Sequence, residues 1–398
     1  MRMSLARGAI TIAVAPLLLA GLPAAAGSAR AASACQSWTG VQPPDPGGPS
    51  AANALDGVAV LSSCDAWAVG SYSNGAARQA LVVRWRGSAW KKVASPDPGG
   101  PSDDNELSGV AATSASAAWA VGSYVSGAAF KTLILGWSGT AWKQVASQNP
   151  GGSSHDNVLA AVAATSSGNA WAVGAYSNGT AFKTLILHWN GTAWKKVASP
   201  DPGGAARNNF LSGVTATSAG NAWAVGRYFN GTAYRTLVLH WNGTAWKKVA
   251  SPNAGSPADN QVLASVAATS SGNAWAVGSY NIGTIARTLI LHWNGAAWKK
   301  VASPDPGGPS HSHFLFGVAA TSAGNAWAVG GYIKTGPEQT LILHWNGTAW
   351  KPVPSPDPGG PAQFNDLAGV AATSARNAWA AGAYSNGTAI QTLALHCC

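Results

Sequence analysis

Acidic side chains are scarce: the chain has 14 Asp and Glu among 398 residues. Five of them, Asp45, Asp97, Asp201, Asp305 and Asp357, occupy one recurring Pro-Asp-Pro-Gly-Gly turn. That leaves few carboxylates for acid–base work, which needs two titrating groups in unlike environments at a set distance. Charged residues make up 10% of the chain, against about 25% in ordinary globular proteins. No nucleophile motif, phosphate-cradling loop or cysteine–histidine pair occurs. Long apolar runs are also missing. A membrane-spanning helix needs about 20 apolar residues, and the longest run is the short one from Ala9 to Leu22.

That run has the form of an export signal. Arg2 and Arg7 precede it, small residues follow to Ala34, and Ala26, Ala31 and Ala34 each end an Ala-x-Ala triplet. Residues 1–34 are therefore expected to be removed, leaving a soluble, secreted, monomeric domain over 35–398. Without Arg2, Arg7 and Arg30, 21 basic residues face 14 acidic ones, for a net charge of +7. Much of the excess is one evenly spaced lysine (Lys91, Lys143, Lys195, Lys247, Lys299, Lys351). Spacing of that kind does not make the contiguous basic stripe that nucleic acid requires.

Tryptophan, by contrast, is abundant and ordered. All 20 fall into three series with a period of 52. The first runs from Trp67 through Trp119, Trp171, Trp223, Trp275 and Trp327 to Trp379. The second runs from Trp85 to Trp345 and the third from Trp38 to Trp350. A fixed period of this size marks an array of supersecondary units. In the unit from Leu159 to Pro200, four short apolar or alternating runs are separated by Ser166-Ser-Gly168, Asn178-Gly179 and Asn190-Gly191. Asn-Gly favours hairpins, so each unit reads as a four-stranded propeller blade. The fold class expected is all-β, a seven-bladed β-propeller with blades starting near residues 55, 107, 159, 211, 263, 315 and 367.

The seventh unit stops at Cys398 without a fourth strand, whereas Trp38 lies 52 residues before Trp90 with no blade in front of it. The segment 35–43 should therefore complete the last blade and close the ring. In the repeat frame Cys397 and Cys398 take the places of a second-series Trp and a turn Asn, and Cys35 the place of the turn Gly. A disulfide from Cys35 to Cys397 or Cys398 would clasp the cut hairpin, with Cys64 taking the remaining partner. Such a closure is worth up to about 5 kcal/mol.

The apolar strand ending in Gly174, the aromatic Tyr176 after it, and Trp194 leading into Lys-Lys-Val-Ala-Ser-Pro200 resemble the kelch and galactose-oxidase type of propeller repeat. Only Gly330-Gly331 matches the double glycine of kelch repeats. The unit is also similar to that of secreted bacterial propellers of unassigned function bearing AWAVG…HWNGTAW. The resemblance implies a fold and not copper chemistry, because seven of the eight tyrosines belong to the repeat. The turn Gly191-Thr-Ala-Trp194 resembles a sialidase Asp-box that lacks its aspartate.

Four further features carry candidate chemistry. His188, His240, His292, His344 and His396 form a column read as interblade hydrogen bonding rather than metal binding. The third Trp series, on the outer strand, is the one expected to offer sugar platforms if any does. The six Asn-Gly-Thr sequons are turn chemistry first. The copies differ most just before each innermost strand, where the aligned triplets begin with Ala51, Asp103, His155, Arg207, Asp259, His311 and Gln363. Blade-to-blade connections bring these to the channel mouth. The candidate ligand-binding residues are Asp103, Asp104, Glu106, His155, Asp156, Arg207, Asn208, Asp259, His311, His313, Gln363 and Asp366. His311 and His313, with Asp103, Asp104 and Glu106, would hold a divalent cation only if blades two and six faced one pore, so no metal or cofactor is expected. All seven spacings are 52 with no insertion, so the function expected is a binding or scaffold module for carbohydrate, cell-wall polymer or protein. The alternative is an extracellular polysaccharide hydrolase or lyase using Asp103, Asp104, Glu106, Asp156, Asp259 or Asp366.

Overall fold

The computed structural model describes residues 37–398 except Thr335. Residues 1–34, expected to be an export signal, and Cys35 lie outside the described residues. Seven four-stranded antiparallel sheets form the blades of a β-propeller, each sheet ordered from the innermost strand outward. In the third blade the strands are Asn157–Ser166, Asn169–Ser177, Phe182–Trp189 and Trp194–Lys196. The inner three strands are longer than the apolar runs alone imply, because the ladder continues through the polar residues that flank each turn.

The turns differ from the two-residue hairpins expected from Asn-Gly. Ser177 pairs with Phe182 and Trp189 with Trp194, so each loop has four residues. Among the described residues none other than glycine has a positive φ, which excludes the type I′ turn. Asn178 instead accepts the Thr180 and Ala181 N–H groups with its side-chain oxygen, and Gly179 alone takes the left-handed conformation, at φ 91°.

Burial comes from blade against blade. Trp171, Val173 and Ile186 of the third blade pack with Leu211, Val214, Leu237, Leu239 and Trp246 of the fourth. Trp171 is fully buried and meets Trp246 edge-on at 5.1 Å and Trp241 at 4.9 Å. The third series is therefore core: Trp90, Trp142, Trp194, Trp246, Trp298 and Trp350 are 3–4% exposed. The second series is the more exposed one. Trp189, for example, keeps its indole N–H on the Ser167 carbonyl at 3.0 Å.

The histidine column bonds within blades rather than between them. His188 Nε2 is 2.8 Å from Asn169 Oδ1 of the adjacent strand, and its ring stacks on Trp171 at 4.2 Å. In the first blade Arg84 takes this place over Trp67, pairing with Asp65 at 2.7 Å. In the second blade Gly136 leaves Trp119 partly exposed.

The ring closes as expected. Thr39 pairs with His396 and Gly40 with Leu395 in the seventh sheet, and Val41 N–H donates to the Ala394 carbonyl at 2.9 Å. Trp38 packs edge-on against Trp327 at 5.3 Å, in one cluster with Leu393 and Leu395. Cys397 is buried and disulfide-bonded. Cys64 and Cys398 are free and exposed, so the second bridge expected of Cys64 does not form. Cys64 lies instead over Gly87, in the turn of its own blade.

Candidate functional site

Each innermost strand carries a bulge after its third residue, as between Leu211 and Gly213. Beyond the bulge the inner strands of neighbouring blades come almost into backbone contact. A Cβ on Gly213 would lie 2.9 Å from Ser265 Cα, and one on Gly57 3.1 Å from Gly109 Cα. Only small residues fit that belt, so the ring is tightest there. Chemical variety is greatest at the end where the inner strands begin.

At that end the triplets serve two purposes. Their third members belong to the inner strand and are fully buried: Asn53, Asn105, Asn157, Asn209, Gln261, His313 and Asn365. Asn157 Oδ1 accepts the Gly151 N–H at 2.8 Å, and its Nδ2 donates to the His155 carbonyl at 2.7 Å. His313 does the same work with an imidazole, accepting the Gly307 N–H on Nε2 at 3.0 Å. Burial lowers its pKa below the usual histidine value. His313 is thus a loop pin, and among the described residues no three His, Cys, Asp or Glu side chains gather as metal ligands.

The second members clasp one blade to the next. Asp104 accepts the Arg78 N–H, Asp156 the Phe130 N–H and Asn208 the Phe182 N–H, each at 3.0 Å. The first members vary in exposure. Asp103 and Arg207 are exposed, while His155, Asp259, His311 and Gln363 are partly buried. His155 Nδ1 is 3.1 Å from the Gly151 carbonyl, and Arg207 donates to the Asn230 carbonyl at 3.1 Å. Asp259 accepts the Ser256 N–H at 2.7 Å, which holds its pKa below the usual carboxylate value. Gln363 Oε1 accepts from Ser385 Oγ at 3.0 Å. His311 lies near Ser310 Oγ at 3.1 Å.

The residue after each triplet varies most in chemistry. Glu106 pairs with Arg78 at 2.6 Å. Arg78 is held charged chiefly by Glu106, and less strongly by Asp104 and Asp56. Asp366 is 1% exposed. Phe314 stacks on Phe316 at 6.0 Å. Phe210 lies 5.1 Å from Phe182 of the preceding blade and 6.4 Å from Tyr234 of its own. Sequence comparison of the triplets missed Phe182, Tyr234 and Arg227. The first two start third strands, at a repeat position that reads Arg78, Phe130, Phe182, Tyr234, Ala286, Glu338 and Ile390. That column varies as much as the triplets do, and the Asn-Gly turn before it marks it as facing the same end.

Arg227 is paired in register with Phe210 and Thr236. Its guanidinium lies 4.9 Å from the Phe210 ring and 5.2 Å from the Tyr234 ring. Burial lowers its pKa, and the Tyr234 hydroxyl beside it only partly opposes this. The end of the ring is therefore two-sided. Acids Asp56, Asp104 and Glu106 cluster around Arg78 at the first and second blades. Aromatic rings with Arg227 and Arg207 occupy the third and fourth.

Two hollows, of about 360 and 350 Å³, lie elsewhere, at one and the same repeat position of the first and sixth blades. Tyr72, Lys92 and Asp97 line one, and Tyr332, Pro352 and Asp357 the other. Asp97 and Asp357 are already engaged with the N–H groups of Ala80 and Thr340. These hollows are seams of the repeat, while the chemistry that distinguishes one blade from another sits at the channel mouth.

No family model matches the chain, and no curated protein matches it. Solved structures similar to it are propellers at low identity. One is the GH74 xyloglucanase of Xanthomonas campestris, 15% identical with a TM-score of 0.51 over 88% of this chain. This chain spans 54% of that enzyme's length. A PL25 ulvan lyase is 10% identical with a TM-score of 0.50, over 90% of this chain and 94% of its own. A puromycin hydrolase is 13% identical with a TM-score of 0.56, over 91% of this chain and 55% of its own. At such identities the likeness concerns the fold alone. No helix long and apolar enough to cross a membrane is present among the described residues.

Proposed function

We propose that the protein is an exported, monomeric glycan-binding propeller that reads an extracellular polysaccharide at the channel mouth, where the inner strands begin. The carrying observation is the aromatic cluster of Phe182, Phe210 and Tyr234 across the third and fourth blades. Sugar rings present C–H faces that pack on aromatic rings, with flanking polar groups fixing orientation. The rim residues supply such groups in Arg207, Asn208, His155 and Gln363.

Binding is favoured over hydrolysis or elimination by the state of the carboxylates. Asp104, Asp156 and Asp259 accept backbone N–H groups, and Glu106 is paired with Arg78. A general acid and base need to be held in unlike environments and free to exchange protons. These carboxylates are spent on fastening blades and loops.

The test is a polysaccharide panel measured by calorimetry, with Phe182→Ala and Tyr234→Ala beside the unaltered protein. Loss of one aromatic face at about 1 kcal/mol corresponds to roughly five- to tenfold weaker binding. Binding untouched by both substitutions would remove the site. Release of shortened or unsaturated products would replace a binding role with an enzymatic one.

A further inference from the structure

Resting on the glycan-binding reading above, we infer that Arg227 is an anion-reading residue and that the polysaccharide bound at this end carries carboxylate or sulfate groups. The argument begins with the repeat. At the Arg227 position the other six blades have Ser71, Ser123, Ala175, Ser279, Gly331 and Ala383. A blade closes its second strand well with a small residue there, so the arginine answers no packing need of the propeller.

It is also partly withdrawn from water without a counter-charge. Among the described residues Arg227 forms no ion pair, whereas Arg84 is matched by Asp65 and Arg78 by Glu106. Its neighbours are the Phe210 and Tyr234 rings and the Tyr234 hydroxyl. A buried charge lacking its partner is costly. The rings recover part of that cost through their negative faces, and they also orient the planar guanidinium. An oriented guanidinium with open N–H groups matches the two oxygens of a carboxylate or sulfate.

The surroundings favour an acidic polymer over a neutral one. Arg207, at the head of the same blade, is exposed and donates to the Asn230 carbonyl. Asp259, at the head of the next blade, accepts the Ser256 N–H. Asp56, Asp104 and Glu106 act on Arg78, in the first and second blades, and not on this side. A chain of acidic sugars would thus find stacking surfaces in Phe182 and Tyr234, with a fixed cation between the Phe210 and Tyr234 rings.

The experiment compares paired polymers by calorimetry at low and moderate salt: polygalacturonate against fully methyl-esterified pectin, and dextran sulfate against dextran. The protein should bind one acidic member at least about tenfold more tightly than its neutral partner, as expected for a charge-assisted pair. Salt should weaken that preference. Arg227→Met, which keeps the packing volume, should abolish the preference, so that the acidic polymer binds no more tightly than its neutral partner. Arg227→Lys, which keeps charge but not the fork, should lose most of it, and it carries the test if the methionine variant does not fold. The carboxylate arm and the sulfate arm separate the two anions. Equal binding of acidic and neutral members, unchanged in both variants, would overturn this inference and leave the glycan site standing. An acidic preference that survives in both variants would likewise remove Arg227 from the role. Absence of binding to any polysaccharide would overturn the underlying reading together with it.

Discussion

Replacing Trp38 by alanine tests how the ring is held shut. Its side chain is 4% exposed and meets Trp327 edge-on at 5.3 Å. Burying about 200 Å² of indole is worth up to about 5 kcal/mol at 25 cal/mol per Å², an upper bound because unfolded chains already bury some surface. The edge-on ring contact adds about 1 kcal/mol. Against this, the indole N–H is buried without a hydrogen-bond partner, a cost of about 1–3 kcal/mol that the alanine variant is spared. The net loss expected is about 3 kcal/mol, at the low end of tryptophan-to-alanine costs in cores. Trp194 occupies the same repeat position in the middle of the chain, is 3% exposed, and meets Trp119 edge-on at 5.1 Å. Trp194→Ala is therefore the internal reference. Denaturant midpoints followed by circular dichroism should fall by similar amounts in the two variants. If Trp194→Ala costs several kcal/mol and Trp38→Ala costs nothing measurable, the N-terminal strand is not docked on the seventh blade and the closed ring fails.

Acid should loosen the ring before it touches the carboxylates. Burial lowers the pKa values of His188, His240, His292, His344 and His396, and of His313. Their contribution is intact above the ordinary value of 6.5 and is lost as pH falls from there through the depressed folded values. Asp45, Asp97 and Asp357 are raised by burial, which has the opposite sign and acts nearer the carboxylate range. Melting temperature should therefore drop between pH 7 and pH 5, and a flat or rising profile would contradict the histidine assignments. Asn157→Ala should cost about 1–3 kcal/mol by stranding the Gly151 N–H, with no change in glycan affinity. Altered affinity at unchanged stability would make that asparagine part of the site rather than a pin. Thiol titration of the folded protein should label Cys64 and Cys398 and reach Cys397 only after reduction and unfolding. Rapid labelling of Cys397 before reduction would show that it is not bonded.

Blade number, strand count and closure were legible because seven copies face one packing problem and solve it with the same residues in the same places. Trp38 without a blade and Cys398 without a strand stood out against that regularity. Two features were not legible. A bulge after Leu159 shifts the ladder by one residue, and a one-residue slip exchanges the two faces of a strand. His313 read as a mouth-facing polar group, yet lies buried as a pin. The histidines misled for a related reason. Periodicity gives the side of the sheet on which His188 lies, but its choice of Asn169 over a neighbouring blade depends on the pairing of Trp171 with His188.

The symmetry that hides such details makes departures from it informative. A scaffold of like wedges sets an expectation at every position, and Arg227 breaks it where six blades carry a small side chain. The tryptophans and the buried asparagines answer the question of how the ring stays closed. Neither group needs a desolvated guanidinium between Phe210 and Tyr234. Trp38 and Arg227 belong to different blades and share no contact partner, so their substitutions should act independently. Loss of stability in one and loss of anion preference in the other would then report on two separate properties of the chain, the closing of the ring and what its open end reads.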